Sequence, residues 1–267
     1  MSTIETTVAL QHAAPTTALD SFDEAKSCKQ LIDITPAEYL KRKGWFSRIL
    51  ALGLLLISFP VIALLIFIVR MTSRGPGLYR QVRVGKDGKI FVMYKVRSMV
   101  QDAEEGTGPV WTQGKNDPRI TRIGWLLRKS HLDELPQLLN VVRGEMSLFG
   151  PRPERPELVH VLAASIPDYW DRLAVLPGIT GLAQINLPPD SDLESVRRKL
   201  KLDLEYIRTA NFLMEVRMFV WTGLRLLAIP SSAATRLMSL GRDVEPTENS
   251  TNGPVTIDDV INEASSI

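Results

Sequence analysis

The chain has very few of the side chains that form disulfides or bind soft metals. Its 267 residues include one cysteine, Cys28, and three histidines, His12, His131 and His160. One cysteine excludes a disulfide within the chain and a cysteine-based metal site, and three scattered histidines argue against a histidine cluster. No basic stretch leads directly into an apolar run at the N-terminus, so no cleaved signal peptide is predicted and a reducing compartment is expected. The chain also lacks a zinc pattern, a Gly-rich phosphate loop and a nucleic-acid-binding motif, so no nucleic acid partner is expected.

Basic residues are scarce at both ends of the chain. Residues 1–35 carry two basic and five acidic residues, and residues 241–267 carry one basic and six acidic. Because the whole chain has a formal charge of +2, residues 36–240 carry +10. We interpret 1–35 and 233–267 as disordered acidic tails, and the middle as a body that attracts nucleotides, phosphates or acidic lipid head groups.

No charge interrupts the run ILALGLLLISFPVIALLIFIV from Ile49 to Val69. Its 21 residues reach the length of about 20 apolar residues that spans a bilayer. A helix this apolar on every side does not suit a small soluble domain. Membrane insertion is therefore predicted for a segment over residues 36–74.

The flanks of this run suggest that it does not cross the membrane. Basic residues stand on both sides, Lys41, Arg42, Lys43 and Arg48 before it and Arg70, Arg74, Arg80 and Arg83 after it. The positive-inside rule keeps both flanks in the cytoplasm. Pro60 kinks a helix near its middle, and the Ser58 hydroxyl can satisfy a freed carbonyl. We predict a re-entrant helical hairpin broken at Ser58 and Pro60; a kinked transmembrane helix is the alternative.

The stretch KSHLDELPQLLNVVRG places two acids ahead of a proline. Pro136 fits only the first turn of a helix, which predicts a helix that begins near Leu132 or Asp133, is capped by Ser130 or Asp133, and ends at Gly144. Asp133 and Glu134 then lie at the positive end of the helix dipole. They either cap the helix or meet a phosphate there.

Local patterns predict the remaining elements. Two β-prone runs around GKDGK indicate a hairpin, followed by a loop that holds Lys95, Arg97 and Ser98. Helices are predicted over three ranges, 123–129, 157–165 and 192–209. LPGITGLAQI is interpreted as a shaped loop. The apolar stretch 212–229, which includes arginines, is a helix either in the membrane interface or in the core.

Arginines near the two acids point to phosphate chemistry. Arg128 lies five residues before Asp133, and Arg152 stands between two prolines that lower its ordering cost. Arginine suits bidentate phosphate contact. Adjacent carboxylates suit Mg²⁺ shared with a diphosphate, and a carboxylate so placed could instead attack phosphorus. The residues alone leave both roles open.

Three segments carry a resemblance to a known family. KVRSM, DPRITRIGWLLRKSHLDELPQLLNVVRGEMSLFGPRPE and PGITGLAQI closely resemble the bacterial sugar transferase family, over residues 42–230. Its members are monotopic polyprenyl-phosphate phosphoglycosyl transferases. The resemblance implies an α+β fold, mainly α, with a membrane hairpin, a small cytosolic catalytic domain over 75–232 and interfacial amphipathic helices. It also implies a place on the cytoplasmic face of the bacterial inner membrane.

The resemblance further implies a reaction. A sugar 1-phosphate passes from a UDP-sugar to polyprenyl (undecaprenyl) phosphate, UMP is released, and exopolysaccharide or other surface glycan synthesis begins. Asp133 is expected to attack the β-phosphate, with Mg²⁺ at the dyad and Glu134 in metal support or proton handling. Phosphates are expected to meet four basic residues, Arg128, Arg152, Lys95 and Arg97. The helix dipole and the arginines should keep Asp133 ionised.

The sequence departs from the family in two places. Phe59 separates the Ser-Pro pair at which the family's hairpin breaks, and NLPPDSDLESVRR replaces the NGRN that many members carry after GxTGxAQ. Arg197 or Arg198 could replace the lost basic residue. Asp190 to Asp192, which spell DSD, are interpreted as a helix cap and not as a metal motif.

Two competing functions stay open. The first is a direct transferase in which the dyad only binds Mg²⁺, and the second is a non-catalytic membrane scaffold of a glycan assembly complex. Besides UDP-sugar, polyprenyl phosphate and membrane lipids, the partners considered are a second copy of the chain and downstream glycosyltransferases.

Overall fold

The long apolar helix dominates the N-terminal part of the chain. A computed structural model describes residues 32–103, 117–226 and 229–244. A short helix α1 (Glu38–Arg42) leads into α2 (Gly44–Thr72), which contains Pro60. Within the described ranges, α2 is the one helix that is long and apolar enough to cross a membrane. The predicted apolar helix is thus confirmed, but it stays helical through Ser58 and Pro60, so the predicted break is not seen there and the re-entrant hairpin stays a prediction.

The Ser58 hydroxyl was expected to donate to the carbonyl that Pro60 leaves without a donor, but it donates to other carbonyls. It donates to the Leu54 carbonyl at 2.7 Å and lies 3.4 Å from that of Leu55. The carbonyl that Pro60 deprives of a donor is that of Leu56, four residues earlier. Ser58 therefore bonds within its own turn and does not fill the position that the proline leaves open.

Both ends of α2 contact the same domain. Near its start, Ser47 Oγ lies 3.4 Å from Ser147 Oγ. Near its end, Val69 packs in a cluster with Val96 and Leu127. The middle of the helix projects large apolar side chains outward, among them Leu56, Ile57 and Phe59.

A β-hairpin follows the apolar helix, as GKDGK predicted. Strands β1 (Leu78–Val84) and β2 (Ile90–Val96) pair antiparallel, with a 3₁₀ turn over Lys86–Gly88. Asp87 takes a left-handed φ of 54° in that turn. Lys95 lies on β2 and not in the predicted loop, because the pairing continues to the last residue of the strand.

The dyad lies on a 3₁₀ helix between two α-helices. Helix α3 (Arg122–Ser130) ends at a left-handed residue, His131, and the 3₁₀ helix Leu132–Gln137 leads into α4 (Leu138–Arg143). The predicted helix start and the stop at Gly144 are confirmed. Neither predicted cap forms, because the Ser130 hydroxyl donates back to the carbonyls of its own helix.

A parallel strand pair includes part of the segment that was interpreted as a shaped loop. Strand β3 (Ser147–Phe149) pairs with β4 (Gly178–Thr180), and helix α5 (Pro156–Ser165) and a 3₁₀ helix (Tyr169–Ala174) lie between them in sequence. Helix α6 (Leu182–Asn186) follows directly. The interpretation of LPGITGLAQI as a loop is therefore wrong. Its strand is only three residues long and its partner is distant in sequence, so no local pattern marks it.

The last helices combine a core face with an exposed apolar face. Helix α7 (Leu193–Thr209) begins at the N-cap Asp192, whose side chain accepts from Ser195 N, as predicted. In α8 (Phe212–Leu226), Met218 is buried whereas Phe212 is 59% exposed. The helix thus contributes to the core, and its exposed apolar face leaves the placement in the membrane interface a prediction. Helix α9 (Ser231–Leu237) closes the described part of the chain.

The packed region extends beyond the predicted domain bounds at residues 35 and 232. The Asp33 N–H donates to Asp171 Oδ1 at 2.7 Å, and Ile34 is buried. Ala234 and Leu240 are also buried. The other tail positions, 1–31 and 245–267, lie outside the described residues, as does Cys28.

Candidate active site

Two arginines fix the loop that follows β3. Arg172 Nη2 donates to the Arg152 carbonyl at 2.9 Å, and Arg83 Nη1 donates to the Pro153 carbonyl at 2.9 Å. Arg172 is itself buried, and the same Nη2 lies 2.9 Å from Asp203 Oδ2. The backbone that carries the Arg152 guanidinium is therefore fixed by hydrogen bonds from two arginines, Arg172 and Arg83.

Glycines let this loop lie against β4. The Gly178 N–H donates to the Pro151 carbonyl at 2.8 Å, and the Gly150 N–H donates to that of Thr180 at 3.1 Å. A Cβ on Gly178 would lie 2.1 Å from Gly150 N. The GPRP and PGITG motifs thus form one packed unit, and no side chain fits between them.

Glu134 is held by two cations. Lys95 Nζ lies 3.0 Å and Arg152 Nη2 lies 2.8 Å from the same Glu134 oxygen, Oε1. Burial raises the pKa of Glu134, but the charges of Arg152 and Lys95 outweigh burial and hold that pKa well below its usual range. The lowered pKa favours the charged form of Glu134, which accepts hydrogen bonds from two basic side chains.

Asp133 has a different environment from its neighbour. It is 6% exposed, and its carboxylate forms no hydrogen bond or ion pair with any residue that the structure describes. Burial and the adjacent Glu134 charge raise its pKa, while Lys95, Arg128 and Arg152 lower it. The helix dipole and the arginines were expected to keep Asp133 ionised, which calls for a low pKa; the pKa of Asp133 is instead raised, because burial and the Glu134 charge outweigh the three cations. Asp133 is the unengaged acid of the dyad.

The remaining predicted phosphate ligands divide into two groups. Arg128 Nε donates to Ser98 Oγ at 2.8 Å, and its charge lowers the pKa of Asp133, which places it beside the dyad. Arg97 Nη2 instead donates to the carbonyl and the hydroxyl of Ser73, at 2.9 and 2.7 Å. Arg97 thus anchors the residue that caps the end of α2.

The donor set at the dyad fits a hard cation. In the described ranges, no group of three or more His, Cys, Asp or Glu side chains could enclose a metal ion. A site for Mg²⁺ does not need three protein ligands. The ion usually takes one or two carboxylates and completes its shell with water and substrate oxygens. The Asp133 carboxylate and the second oxygen of Glu134 are the oxygens without a hydrogen bond here.

A charged cleft beside Arg152 was not predicted from the sequence. It is lined by Arg172 from the 3₁₀ helix, Asp190 from the loop before α7, and Lys199 and Asp203 from α7. The sequence does contain a pattern that could have indicated this cleft. Lys199 and Asp203 are four residues apart, so they lie on the same face of the predicted helix as its apolar stripe. Charged residues on a core-facing stripe indicate a buried polar site.

Comparison with known proteins agrees with the motifs. The sequence pattern of the bacterial sugar transferase family matches residues 38–228. A Bacillus subtilis protein, provisionally named an undecaprenyl-phosphate N-acetylgalactosaminyl 1-phosphate transferase, is 47% identical over 137 residues, 51% of this chain and 75% of its own. The Rhizobium leguminosarum exopolysaccharide production protein PSS is 37% identical over 191 residues, 67% of this chain and 92% of its own.

A third relative is longer than this chain. The UDP-glucose:undecaprenyl-phosphate glucose-1-phosphate transferase of Xanthomonas campestris is 38% identical over 191 residues, which are 71% of this chain. Those residues span only 39% of the relative. The shared part holds the dyad and the GPRP loop. The chain belongs to the bacterial sugar transferase family.

Proposed function

We propose that the protein transfers a sugar 1-phosphate from a UDP-sugar to undecaprenyl phosphate through a covalent aspartyl intermediate. The observation that carries this proposal is the asymmetry of the dyad, in which Glu134 is held by two cations and Asp133 is unengaged. A nucleophile needs a carboxylate free to approach phosphorus, and its neighbour can organise the charges around it. Asp133 is the attacking group and Glu134 the organiser.

The steps balance as two displacements at one phosphorus atom. An Asp133 oxygen bonds to the β-phosphorus, the bond from that phosphorus to the bridging oxygen breaks, and UMP leaves with the electron pair. An oxygen of the lipid phosphate then attacks the same phosphorus. The acyl-phosphate bond breaks, polyprenyl diphosphate sugar forms, and the Asp133 carboxylate is regenerated.

The basic residues around the dyad stabilise the charge that each displacement develops. Arg152, Lys95 and Arg128 are already positioned by protein contacts, so little reorganisation is needed when phosphate enters. Asp133 and the free oxygen of Glu134 would hold Mg²⁺. The ion would neutralise part of the diphosphate charge and help UMP to depart.

The names of the relatives support this reaction class. They describe glucose 1-phosphate and N-acetylgalactosaminyl 1-phosphate transfer to undecaprenyl phosphate, and one names exopolysaccharide production. We infer that this chain starts such a glycan on the lipid carrier. A scaffold role does not account for an unengaged buried carboxylate beside three oriented cations.

The membrane arrangement that we propose is re-entrant. A helix that crossed the bilayer would put its two ends on opposite sides. Ser47 and Val69, near the two ends of α2, both contact the catalytic domain, and both flanks are basic. The exposed apolar face of α8 then suits the membrane interface. These features favour a catalytic domain on the cytoplasmic face of the bacterial inner membrane.

The test is UMP release from a panel of UDP-sugars by detergent-solubilised protein with Mg²⁺ and undecaprenyl phosphate. Asp133→Asn is compared with Asp168→Asn, which changes an exposed acid outside the site. We expect release from one sugar, its loss only in the first variant, and a phosphosugar adduct on Asp133 by mass spectrometry. Release that survives Asp133→Asn would favour direct displacement. No release by folded wild type with any sugar would favour a scaffold.

A further inference from the structure

A buried ionic cluster joins the start of the apolar helix to helix α8 and to the strand that leads into the GPRP loop. Lys43, which stands between α1 and α2, forms an ion pair with Glu215 of α8. Lys43 is 9% exposed and Glu215 is 7% exposed. Lysine and glutamate are rarely this buried unless they are paired. The proposed chemistry at the dyad uses neither residue.

Lys43 uses all three N–H groups of its ammonium. Its Nζ donates to the Tyr206 hydroxyl at 2.8 Å and to the Phe149 carbonyl at 3.1 Å, in addition to its bond with Glu215. The Tyr206 hydroxyl has one proton to donate, and it lies 2.5 Å from Glu215 Oε1 but 3.1 Å from the Phe149 carbonyl. Because the shorter contact takes that proton, Lys43 is the donor to the Phe149 carbonyl.

The Phe149 carbonyl stands at the entry to the GPRP loop. Phe149 is the last residue of β3 and lies three positions before Arg152. Farther along the loop, two arginines donate to the carbonyls of Arg152 and Pro153. The Lys43 bond therefore fixes the beginning of a segment whose later part is fixed by those arginines.

Stability alone explains a buried ion pair at this place poorly. Taking two charges out of water is costly, and replacing such a pair by apolar residues is often neutral or stabilising. Hydrogen bonds, in contrast, give direction, because they weaken when the angle at the donor departs from linear. The cluster receives a further bond from α1, since the Tyr39 hydroxyl donates to Glu215 Oε2 at 3.0 Å. Helices α1, α7 and α8 together hold the Lys43 ammonium in one place.

We infer that the Lys43–Glu215 pair positions Arg152 for the proposed transfer. It does so by fixing the Phe149 carbonyl, at which the GPRP loop begins. The inference rests on the proposed function, because it takes Arg152 as a contact of the substrate phosphates. Neither member of the pair takes part in the proposed displacements, and both act through the loop as positioning residues. The pair also links the loop to α2 and α8, the two helices that expose apolar faces.

A double variant removes the lysine donor and keeps the cluster polar. Lys43→Gln with Glu215→Gln leaves two amides that can pair, and Tyr206 keeps an acceptor at position 215. Glutamine is one bond shorter than lysine, so the Phe149 carbonyl loses its donor. Arg242→Gln with Glu205→Gln is the matched control, because it neutralises a partly exposed ion pair on α7. Denaturant unfolding of the full-length proteins in detergent shows that each variant is folded.

Hydrogen exchange reports on the loop without turnover. The Gly150 N–H donates to the Thr180 carbonyl at 3.1 Å and lies in a peptide over residues 147–155. We expect this peptide to exchange about tenfold faster in the Gln double variant and at the wild-type rate in the control. An unchanged exchange rate in a folded double variant overturns the inference.

A mutant cycle with Arg152→Gln shows whether the effect passes through Arg152. For UMP release, we expect the Gln double variant to lower kcat/KM about tenfold with Arg152 present and less than about twofold in the Arg152→Gln background. A purely structural defect would lower kcat/KM by the same factor in both backgrounds, which overturns the inference. If the double variant does not fold, the apolar triple variant Lys43→Met, Tyr206→Phe, Glu215→Leu takes its place in both measurements. A wild type that releases no UMP, together with the expected exchange rates, would reject the transferase proposal alone.

Discussion

Arg152 Nη2 lies 2.8 Å from Glu134 Oε1, which joins the GPRP loop to the second acid of the dyad. The same oxygen accepts from Lys95, so one carboxylate oxygen sets the direction of two cations. Charge-assisted bonds of this kind are short and directional. The position of the loop is thereby coupled to the helix that carries the nucleophile. Glu134 can act in catalysis without touching the phosphorus atom that Asp133 attacks.

Glu134→Gln should slow the reaction without abolishing the covalent step. The amide keeps the shape but loses the charge that orients Lys95 and Arg152, and we expect kcat/KM to fall about 10²- to 10³-fold. Mass spectrometry should still find the phosphosugar on Asp133. Glu38→Gln, at an exposed acid of α1, should leave the rate unchanged. Loss of the adduct from protein that still binds UDP-sugar would assign the covalent role to Glu134.

Gly178→Ala should destabilise the protein and slow the reaction. The new methyl would lie 2.1 Å from Gly150 N, so the GPRP loop must move away from β4. Overpacking of this kind costs about 1–3 kcal/mol. Denaturant unfolding measures the cost, and UMP release measures the displacement of Arg152. Gly223→Ala is the control, because nothing lies within 4 Å of its added Cβ and the residue is helical. Equal free energies of unfolding for the two variants would show that the GPRP loop can move away from β4 without a cost in stability.

The sequence predicts those parts of the fold and site that local patterns determine. Turn residues mark the hairpin, Asp192 marks the start of α7, and the dyad stands out as two acids before a proline. Contacts between residues that are distant in sequence could not be predicted in this way. The partner of β4 lies about thirty positions earlier, and no property of Arg97 itself indicates Ser73 as its acceptor.

The electrostatics of the site also depend on packing. A count of nearby basic residues predicts a low pKa for Asp133, but burial raises that pKa, and burial follows from the tertiary structure. Residue type and spacing identify the chemistry, whereas the fold decides which charges remain available.

Arg172→Met should unfold the protein at lower denaturant concentration. It leaves Asp203 buried without its partner at 2.9 Å, and it removes the donor to the Arg152 carbonyl. Breaking a buried pair costs about 3–5 kcal/mol. Arg197→Gln, which breaks a partly exposed pair, should change stability by about 0–1 kcal/mol. The double variant Arg172→Met, Asp203→Leu should regain much of the loss. A double variant no more stable than the single one would mean that the unpaired charge is not the cause.

Stability near Asp203 should depend on pH with a definite sign. Burial raises the pKa of Asp203 from 3.8 to about 6, against the opposing charge of Arg172. Between those values the folded protein binds a proton that the unfolded chain has released, so this group's contribution to the free energy of unfolding falls as pH rises. Asp203→Asn lacks the effect. The difference between wild type and variant, from denaturant unfolding at several pH values, should therefore decrease from about pH 4 to about pH 6. An increase over that window would mean that the ion pair lowers the pKa instead.

Cysteine labelling tests whether α2 returns to the side from which it enters. In a Cys28→Ser background, single cysteines at Glu38 and Pro76 stand before and after the apolar helix, and one at Lys86 marks the hairpin turn of the catalytic domain; all three positions are exposed. We expect an impermeant maleimide to label all three in inside-out vesicles and none in right-side-out vesicles, because both ends of α2 pack on one domain. Solubilisation in detergent should expose each cysteine and control for reactivity. Labelling of Glu38→Cys from the face opposite to the other two would establish a spanning helix. The contact of Ser47 with Ser147 could not then exist in the membrane.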